Sequence, residues 1–376
     1  MRVAVVNDSK MAAEILRRIL AELPDFTLAW TAYSGEEAIG LCAQDRPDII
    51  LMDLVMPGID GAETTRRIMQ STPCVILVVT ATTVGNRDMV FEAMGHGALD
   101  AVNTPVLGPN QDMQGAQALV QKLRTVSRLV HAHSGEGARH GAARAKAHAK
   151  DTSSFPIVAI GASTGGPQAL AAILSNLPPR FPAAVLVVQH VDEQFTPGLA
   201  SWLRHSCALP VTIAKDGEHL SPGGVWIAGR SENLTYDNGR VHYTPAPEDA
   251  VHSPSIDALF FSLAEPHRAP RIGVLLTGMG RDGAAGLMAL RSSGALTIAQ
   301  DAATSVVYGM PKAAADIDAA TEILPLASIA PRICQSILQR PAHTHAASTD
   351  HHASDEHDPD GNSGPDSAAA SNDSQV

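Results

Sequence analysis

Three side chains capable of acyl-transfer chemistry stand at the ends of apolar runs in this 376-residue chain: Ser163, His190 and Asp282. Ser163 lies in Gly-Ala-Ser-Thr-Gly (161–165), after an apolar run and before a helical pattern. This is the G-x-S-x-G spacing in a strand–turn–helix context, where glycines permit a sharp turn that lifts a hydroxyl to the rim of a sheet. Amide N–H groups opening the next helix point outward beside it. By itself the pentapeptide is equally a phosphate or dinucleotide cradle built on Gly161, Gly165 and Gly166. A dinucleotide site needs an acidic ribose ligand at the end of the next strand, where this chain has Gln189-His190. His190 closes "VLVVQH", and Asp282 belongs to "VLLTGMGRDG" (274–283), at the end of a later strand. A serine hydroxyl is a poor nucleophile until an imidazole takes its proton, and a carboxylate orients that imidazole. Singly, His190 reads as a rim histidine and Asp282 as a helix cap; arriving together at one sheet edge with Ser163, they read as a hydrolytic triad. The order Ser…His…Asp differs from that of α/β-hydrolases, where the acid precedes the histidine, so a generic lipase-like fold is not supported.

A second constellation is acidic. Asp8 follows "RVAVV" (2–6), Asp53 follows "DIILM" (48–52), and Thr80 ends "VILVVT" (75–80). Parallel strands deliver all three to one rim. Two carboxylates, with phosphate oxygens and waters, make a reasonable Mg²⁺ site, and the Thr80 hydroxyl is placed to hydrogen-bond a phosphoryl group. The plainer alternative is that Asp8 and Asp53 cap adjacent helices.

Both constellations need parallel sheets. Residues 1–130 alternate the three apolar runs with helical patterns at 9–22, 61–70 and 86–96, and Ile15, Leu16, Ile19 and Leu20 share one face of the first. This predicts a doubly wound parallel α/β domain. Residues 131–154 are rich in Ala, Gly, His and Lys/Arg and nearly devoid of large apolar side chains, so a flexible linker is expected. Residues 155–340 predict a second, larger, Rossmann-like parallel α/β domain. Its strands are expected at 156–162, 183–190, 271–278 and 295–301, its helices at 167–175, 194–205, 283–293 and 311–319, with shorter strand-like pieces between 210 and 245. Residues 341–376, rich in His, Asp, Ser and Gly, are expected to be a disordered tail. Its His343, His345, His351, His352 and His357 lack the cysteine partners and fixed geometry of a dedicated metal site.

Composition narrows the functional classes. A formal net charge of -12 argues against a nucleic-acid partner. Aromatic residues are only 4%, so aliphatic side chains must fill the cores. Cys42, Cys74, Cys207 and Cys334 form no CxxC pair and read as reduced thiols. The N-terminus lacks the apolar core of a signal peptide, and no run reaches membrane-spanning length, so a cytoplasmic protein without membrane insertion is expected.

"MDLVMPGIDG" (52–61), with "VVNDS" (5–9) and "VVT" (78–80), resembles the phosphoacceptor pattern of two-component receiver domains. The resemblance implies that Asp53 accepts a phosphoryl group from a histidine kinase and that Asp8 helps hold Mg²⁺. Three positions depart from the receiver pattern. Asn7 replaces the first of two adjacent acids, Thr104 replaces the lysine before the proline after the fifth strand, and Ala101 replaces an aromatic residue in that strand. "IGASTGGPQAL", "VVQH", "PSIDALF", "LLTGMGRDGAAGL" and "VVYGMPKAA" resemble the chemotaxis protein-glutamate methylesterases, in order and spacing, from residue 155 to about 320. "VNDS" and "FEAMGHGALDAVNTP" further resemble the Wsp-type chemosensory branch, which couples surface sensing to cyclic-di-GMP signalling. The family implies hydrolysis of glutamyl methyl esters, and deamidation of certain glutamines, on the cytoplasmic helices of methyl-accepting chemoreceptors. It implies Ser163 as nucleophile, His190 as proton shuttle, Asp282 as its orienter, and the amides of Thr164 and Met279 as oxyanion donors. Hydrolysis would then need no cofactor, and an unphosphorylated receiver would cover the active site.

Overall fold

The computed structural model describes residues 1–80, 87–107, 113–131, 155–247, 253–264 and 269–338. The expected linker, past the helix that ends at His131, and the expected tail at 341–376 lie outside the described residues.

The first domain is a five-stranded parallel sheet in the order β2-β1-β3-β4-β5. Its strands are β1 (Arg2–Val6), β2 (Thr27–Ala32), β3 (Ile49–Met52), β4 (Val75–Thr80) and β5 (Asp100–Asn103). Helices α1 (Lys10–Ala21), α2 (Gly35–Gln44), α3 (Gly61–Ser71), α4 (Arg87–Gly95) and α5 (Ala116–His131) cover it, and a short antiparallel pair, β6 (Val106–Leu107) and β7 (Met113–Gln114), follows β5. Val3 to Val6 and Ile49 to Met52 are all fully buried, as continuous apolar runs between two helical layers should be. Ser9 opens α1 by accepting the Ala12 N–H (3.3 Å), and Ile15, Leu16, Ile19 and Leu20 all turn inward as expected. The strand read at 48–52 starts one residue later, because the Asp48 carboxylate accepts the Arg2 N–H at 2.7 Å. The sequence pattern did not mark β2 or α2. The edge strand β2 is mostly exposed or half-buried, so it carries no apolar run.

The second domain is a seven-stranded sheet, parallel throughout, in the order β10-β11-β9-β8-β14-β15-β16. Its strands are β8 (Ile157–Ala162), β9 (Ala184–Gln189), β10 (Val211–Ile213), β11 (Val225–Ile227), β14 (Arg271–Leu275), β15 (Leu296–Gln300) and β16 (Glu322–Leu324). The helices are α6 (Gly166–Leu174), α7 (Thr196–Ser206), α8 (Ile256–Leu263), α9 (Ala284–Ser292), α10 (Met310–Asp316) and α11 (Leu326–Leu338). The pieces between 210 and 245 divide into two sheet strands and a separate hairpin, β12 (Asn233–Asp237) with β13 (Arg240–Thr244). Asn238 (φ 46°) and Gly239 (φ 82°) make its two-residue turn, the dipeptide that tolerates two positive φ angles in succession. The strand read at 271–278 ends at Leu275; two residues on, the Thr277 N–H turns to the Gln300 side chain (2.9 Å) and the chain leaves the ladder.

Chain order reverses direction across β8. From β8 the chain runs outward through β9, then returns to β14 on the other side. That crevice, at the carboxyl ends of the strands, is where open α/β sheets bind ligands. Met1–Gln339 forms one compact unit, and the first domain touches the second through α4, against α6 and α7, and through Asp100 and Asn103 of β5. The rings of Phe91 and Trp202 meet at 6.2 Å, and Gln168 Nε2 donates to the Ala98 carbonyl at 3.1 Å and to that of Met94. Among the described residues no helix is long and apolar enough to cross a membrane.

Candidate active site

Ser163, His190 and Asp282 arrive from three adjacent strands. Ser163 follows β8 directly, and His190 follows β9. Asp282 stands seven residues past the end of β14 and two before α9, so a loop rather than the strand itself delivers it. The His190 Nε2 lies 2.8 Å from Asp282 Oδ2, with both side chains about one-tenth exposed. Three backbone N–H groups also point at the Asp282 carboxylate: Ile256 (2.7 Å), Asp257 (3.0 Å) and Gly283 (3.1 Å). The Ser255 hydroxyl adds a fourth donor at 2.9 Å. Burial pushes this carboxyl upward, but the bond to His190, the imidazole charge and the backbone donors outweigh it, so the group stays below the ordinary aspartate range. A buried carboxylate held ionised in this way can orient an imidazole and stabilise its protonated form.

The serine turn is fixed from beneath. The Ser163 N–H bonds the Thr277 carbonyl (3.0 Å), and the Thr277 hydroxyl bonds the Thr164 carbonyl (3.0 Å). Gln189, buried at the end of β9, donates to the Ser163 carbonyl at 2.8 Å. Gly165 takes φ 76°, and the first helical residue, Gly166, has space only for hydrogen: a Cβ there would lie 2.0 Å from Gln189 Oε1. Gly278 similarly lets the 277–282 loop approach Ser163, since a Cβ on it would sit 2.6 Å from the Ser163 Cβ. This close approach brings Met279 to the same cavity as Ser163, Thr164 and His190. Among the described residues, neither the Thr164 nor the Met279 N–H bonds a backbone carbonyl outside the regular elements. The supports Thr277, Gln189, Gln300 and Ser255 were not anticipated as site residues. The signal for the glutamines was present: each is a long polar side chain ending an otherwise apolar, buried strand.

The cavity over the serine, about 1020 Å³, is walled on its far side by the first domain through Asp100, Asn103 and Lys122. Asp100 accepts a hydrogen bond from the Thr164 hydroxyl (3.2 Å) and pairs with Lys122 (2.6 Å). Asn103 donates to Asp192, two residues beyond His190, at 3.2 Å.

In the first domain, Asp53 sits half-buried at the end of β3, accepting the Leu54 N–H at 2.7 Å. Burial pushes its carboxyl upward; the Leu54 and Val55 N–H groups and the neighbouring Thr80 hydroxyl partly oppose this, and the Asp8 charge adds to it. Asp8 is exposed, while Asn7 is buried with its Oδ1 accepting the Ser9 N–H at 2.9 Å. Thr80 is buried at the end of β4, and Thr104 hangs beside it through an N–H bond to the Thr80 carbonyl (3.1 Å). Ala101 is buried in β5 with no ring to move. Asp8 and Thr80 therefore stand near Asp53 at one rim of the sheet.

A family model described as CheB methylesterase matches residues 158–333, and one described as response regulator receiver domain matches residues 3–112. The chain is 52% identical over 335 residues to protein-glutamate methylesterase/protein-glutamine glutaminase 1 of Bordetella avium (strain 197N), covering 89% of this chain and 96% of that one. It is 48% identical over 342 residues to protein-glutamate methylesterase/protein-glutamine glutaminase 3 of Pseudomonas aeruginosa, covering 89% and 99%. The crystal structure of the Thermotoga maritima CheB methylesterase catalytic domain is 37% identical and covers 49% of this chain and 100% of that one, with a TM-score of 0.47. Matched along nearly the whole length of its relatives, with a receiver ahead of the catalytic region, the chain belongs to the CheB methylesterase family.

Proposed function

We propose that this protein is a cytoplasmic serine hydrolase that removes methyl esters from glutamates, and deamidates glutamines, on chemoreceptor cytoplasmic helices, under control of its receiver. The observation that carries the chemistry is the 2.8 Å contact between His190 Nε2 and Asp282 beside a cavity that Ser163 and His190 both line. Because Nε2 faces Asp282, proton transfer with Ser163 falls to Nδ1. The hydroxyl attacks the glutamyl carbonyl as His190 takes its proton, and the Thr164 and Met279 N–H groups receive the developing oxyanion. Preorganised donors of this kind supply the largest share of rate enhancement in acyl transfer. His190 then protonates the leaving group, methanol or ammonia. Water repeats the sequence on the acyl-serine, with His190 as base, and releases the glutamate. Family membership carries the substrate class. The Wsp-type resemblance of the receiver points to a surface-sensing receptor.

The receiver's role rests on its placement. Asp100 and Asn103 hold Thr164 and Asp192, so β5 of the receiver stands over the oxyanion side of the site and beside the His190 segment. In this reading the receiver restricts the approach of a receptor helix to Ser163. Phosphorylation of Asp53 by a histidine kinase would act on β4 and β5, which pair directly at Thr80 and Asn103. Asp8 and Asp53 fit Mg²⁺, because a part-buried carboxylate raised by burial and a neighbouring negative charge gains from a dication. When bound there, Mg²⁺ offsets the charge of the transferring phosphoryl group. The test is methanol release from methylated receptor, with and without a small-molecule phosphodonor. Release that depends on Ser163 and rises with phosphodonor supports the proposal; no release from methylated receptor in either state removes it.

The departures at Asn7 and Thr104 have a measurable consequence. Asn7 offers a neutral oxygen already engaged by the Ser9 N–H, and Thr104 offers no ammonium to a phosphoryl oxygen. The double substitution Asn7→Asp with Thr104→Lys is expected to tighten Mg²⁺ binding and enlarge phosphodonor activation by several-fold. A Mg²⁺ titration and paired esterase assays on both proteins check this; equal values in both would show that other groups compensate.

A further inference from the structure

We propose that Asp257 is a positioning residue for the hydrolytic site, holding the Asp282 carboxylate in register with His190 by locking α8 to α9. The inference rests on Asp282 being the orienter of His190, as above. Asp282 lies two residues before α9, yet it is held by the first N–H groups of α8, those of Ile256 and Asp257. Asp257 lies in the first turn of α8, yet its carboxylate accepts the Gly286 N–H in the first turn of α9 at 2.6 Å. Each helix therefore has its amino end satisfied by a carboxylate from the other, and the two bonds close a ring through the short chain 282–286. A shift of either carboxylate breaks its bonds to the first turn of the other helix.

Two further observations support a role beyond capping. Gly286 has no room for a side chain: a Cβ there would lie 2.9 Å from the Asp257 carbonyl oxygen and 2.6 Å from Phe260 Cβ. The two helices are therefore held closer than any other residue at 286 allows. Asp257 is also an unfavourable group to keep there, since burial, and then the nearby Asp282 charge, push its carboxyl up to about 6. The carboxylate supplies a short, rigid bond between the helices where the geometry of Asp282 is decided.

The test compares Asp257→Ala, Asp257→Asn and Gly286→Ala with wild type in the full-length chain, using methylated receptor and phosphodonor, with the folded fraction taken from circular dichroism. Asp257→Ala is expected to lower kcat about 10- to 100-fold per folded molecule, the loss that follows when a catalytic group drifts by about an ångström. KM should stay within about twofold of wild type, because Asp257 does not face the substrate cavity. Asn at 257 keeps an oxygen for the Gly286 N–H and should restore most of kcat. Gly286→Ala, which forces the helices apart from the other side while favouring helix, should lower kcat in the same way. A folded Asp257→Ala enzyme with wild-type kcat, or a loss that only tracks the folded fraction, overturns the proposal. If Asp257→Ala does not fold, wild-type kcat in Gly286→Ala overturns it. Asp282→Asn is measured alongside: if it keeps full activity, the triad reading itself fails; if it is inactive while the 257 and 286 variants are normal, only the positioning role fails.

Discussion

Substituting Ser163 by alanine is expected to abolish methyl-ester hydrolysis without loss of the fold. Alanine keeps the Cβ that packs against Gly278 and removes only the hydroxyl. The turn itself is held by main-chain groups and by Thr277 and Gln189, none of which depends on that oxygen. His190→Ala and Asp282→Asn should each cost about 10³-fold or more in kcat if the three groups act as a unit, whose losses do not add. Asp282→Asn carries a second penalty. An amide in place of the carboxylate must turn its NH₂ toward donors it cannot accept, since Ile256, Asp257, Gly283 and Ser255 all point donors at this side chain. Methanol release from radiolabelled receptor, together with labelling by a fluorophosphonate, measures both effects. The serine variant should be unlabelled and inactive, with an unchanged melting transition. Wild-type release from Ser163→Ala would end the triad assignment.

Removing residues 1–150 is expected to raise the basal activity of the remaining esterase by roughly tenfold or more, within the 5- to 150-fold range typical of coupling between two sites. In the intact chain the receiver is tied to the catalytic domain by the Asp100–Thr164 and Asn103–Asp192 hydrogen bonds, the Phe91–Trp202 contact and the bond from Gln168 to the Ala98 carbonyl. Each polar or ring contact is modest, at about 0.5–1.5 kcal/mol, so the proposed release needs a phosphoryl group at Asp53 to loosen several of them together. The truncated enzyme should gain in activity and lose its response to phosphodonor. Full-length protein carrying Asp100→Ala should lie between the two, because only one tie is cut. Activity of the truncated chain below that of unphosphorylated full-length protein, with the fold intact, would show that the receiver does not inhibit.

The parts of this protein that were legible in its sequence are those set by local pattern. Continuous aliphatic runs such as 3–6, 49–52 and 184–188 have no stable home except between two helical layers, so they announce parallel strands. Polar residues placed at the ends of such runs must reach the carboxyl rim, and this alone gathers Ser163 with His190, and Asp53 with Asp8 and Thr80. The inference was less direct for Asp282, which sits beyond a loop; its arrival depends on Gly278 and on the α8 amino end, and neither has a periodic signature. The edge strand β2 and the hairpin β12–β13 carry mixed polarity and were not separately legible, because one of their faces meets solvent. Tertiary structure alone decided the cross-domain and cross-helix contacts. That Asp100 should meet Thr164, or that Asp257 and Asp282 should exchange helix ends, depends on residues 64 and 25 positions apart along the chain being brought together by packing. The composition of one segment does not specify the face of another that it will touch. Such pairings are chosen by the shape and chemistry of the assembled surfaces, once the strands and helices are in place.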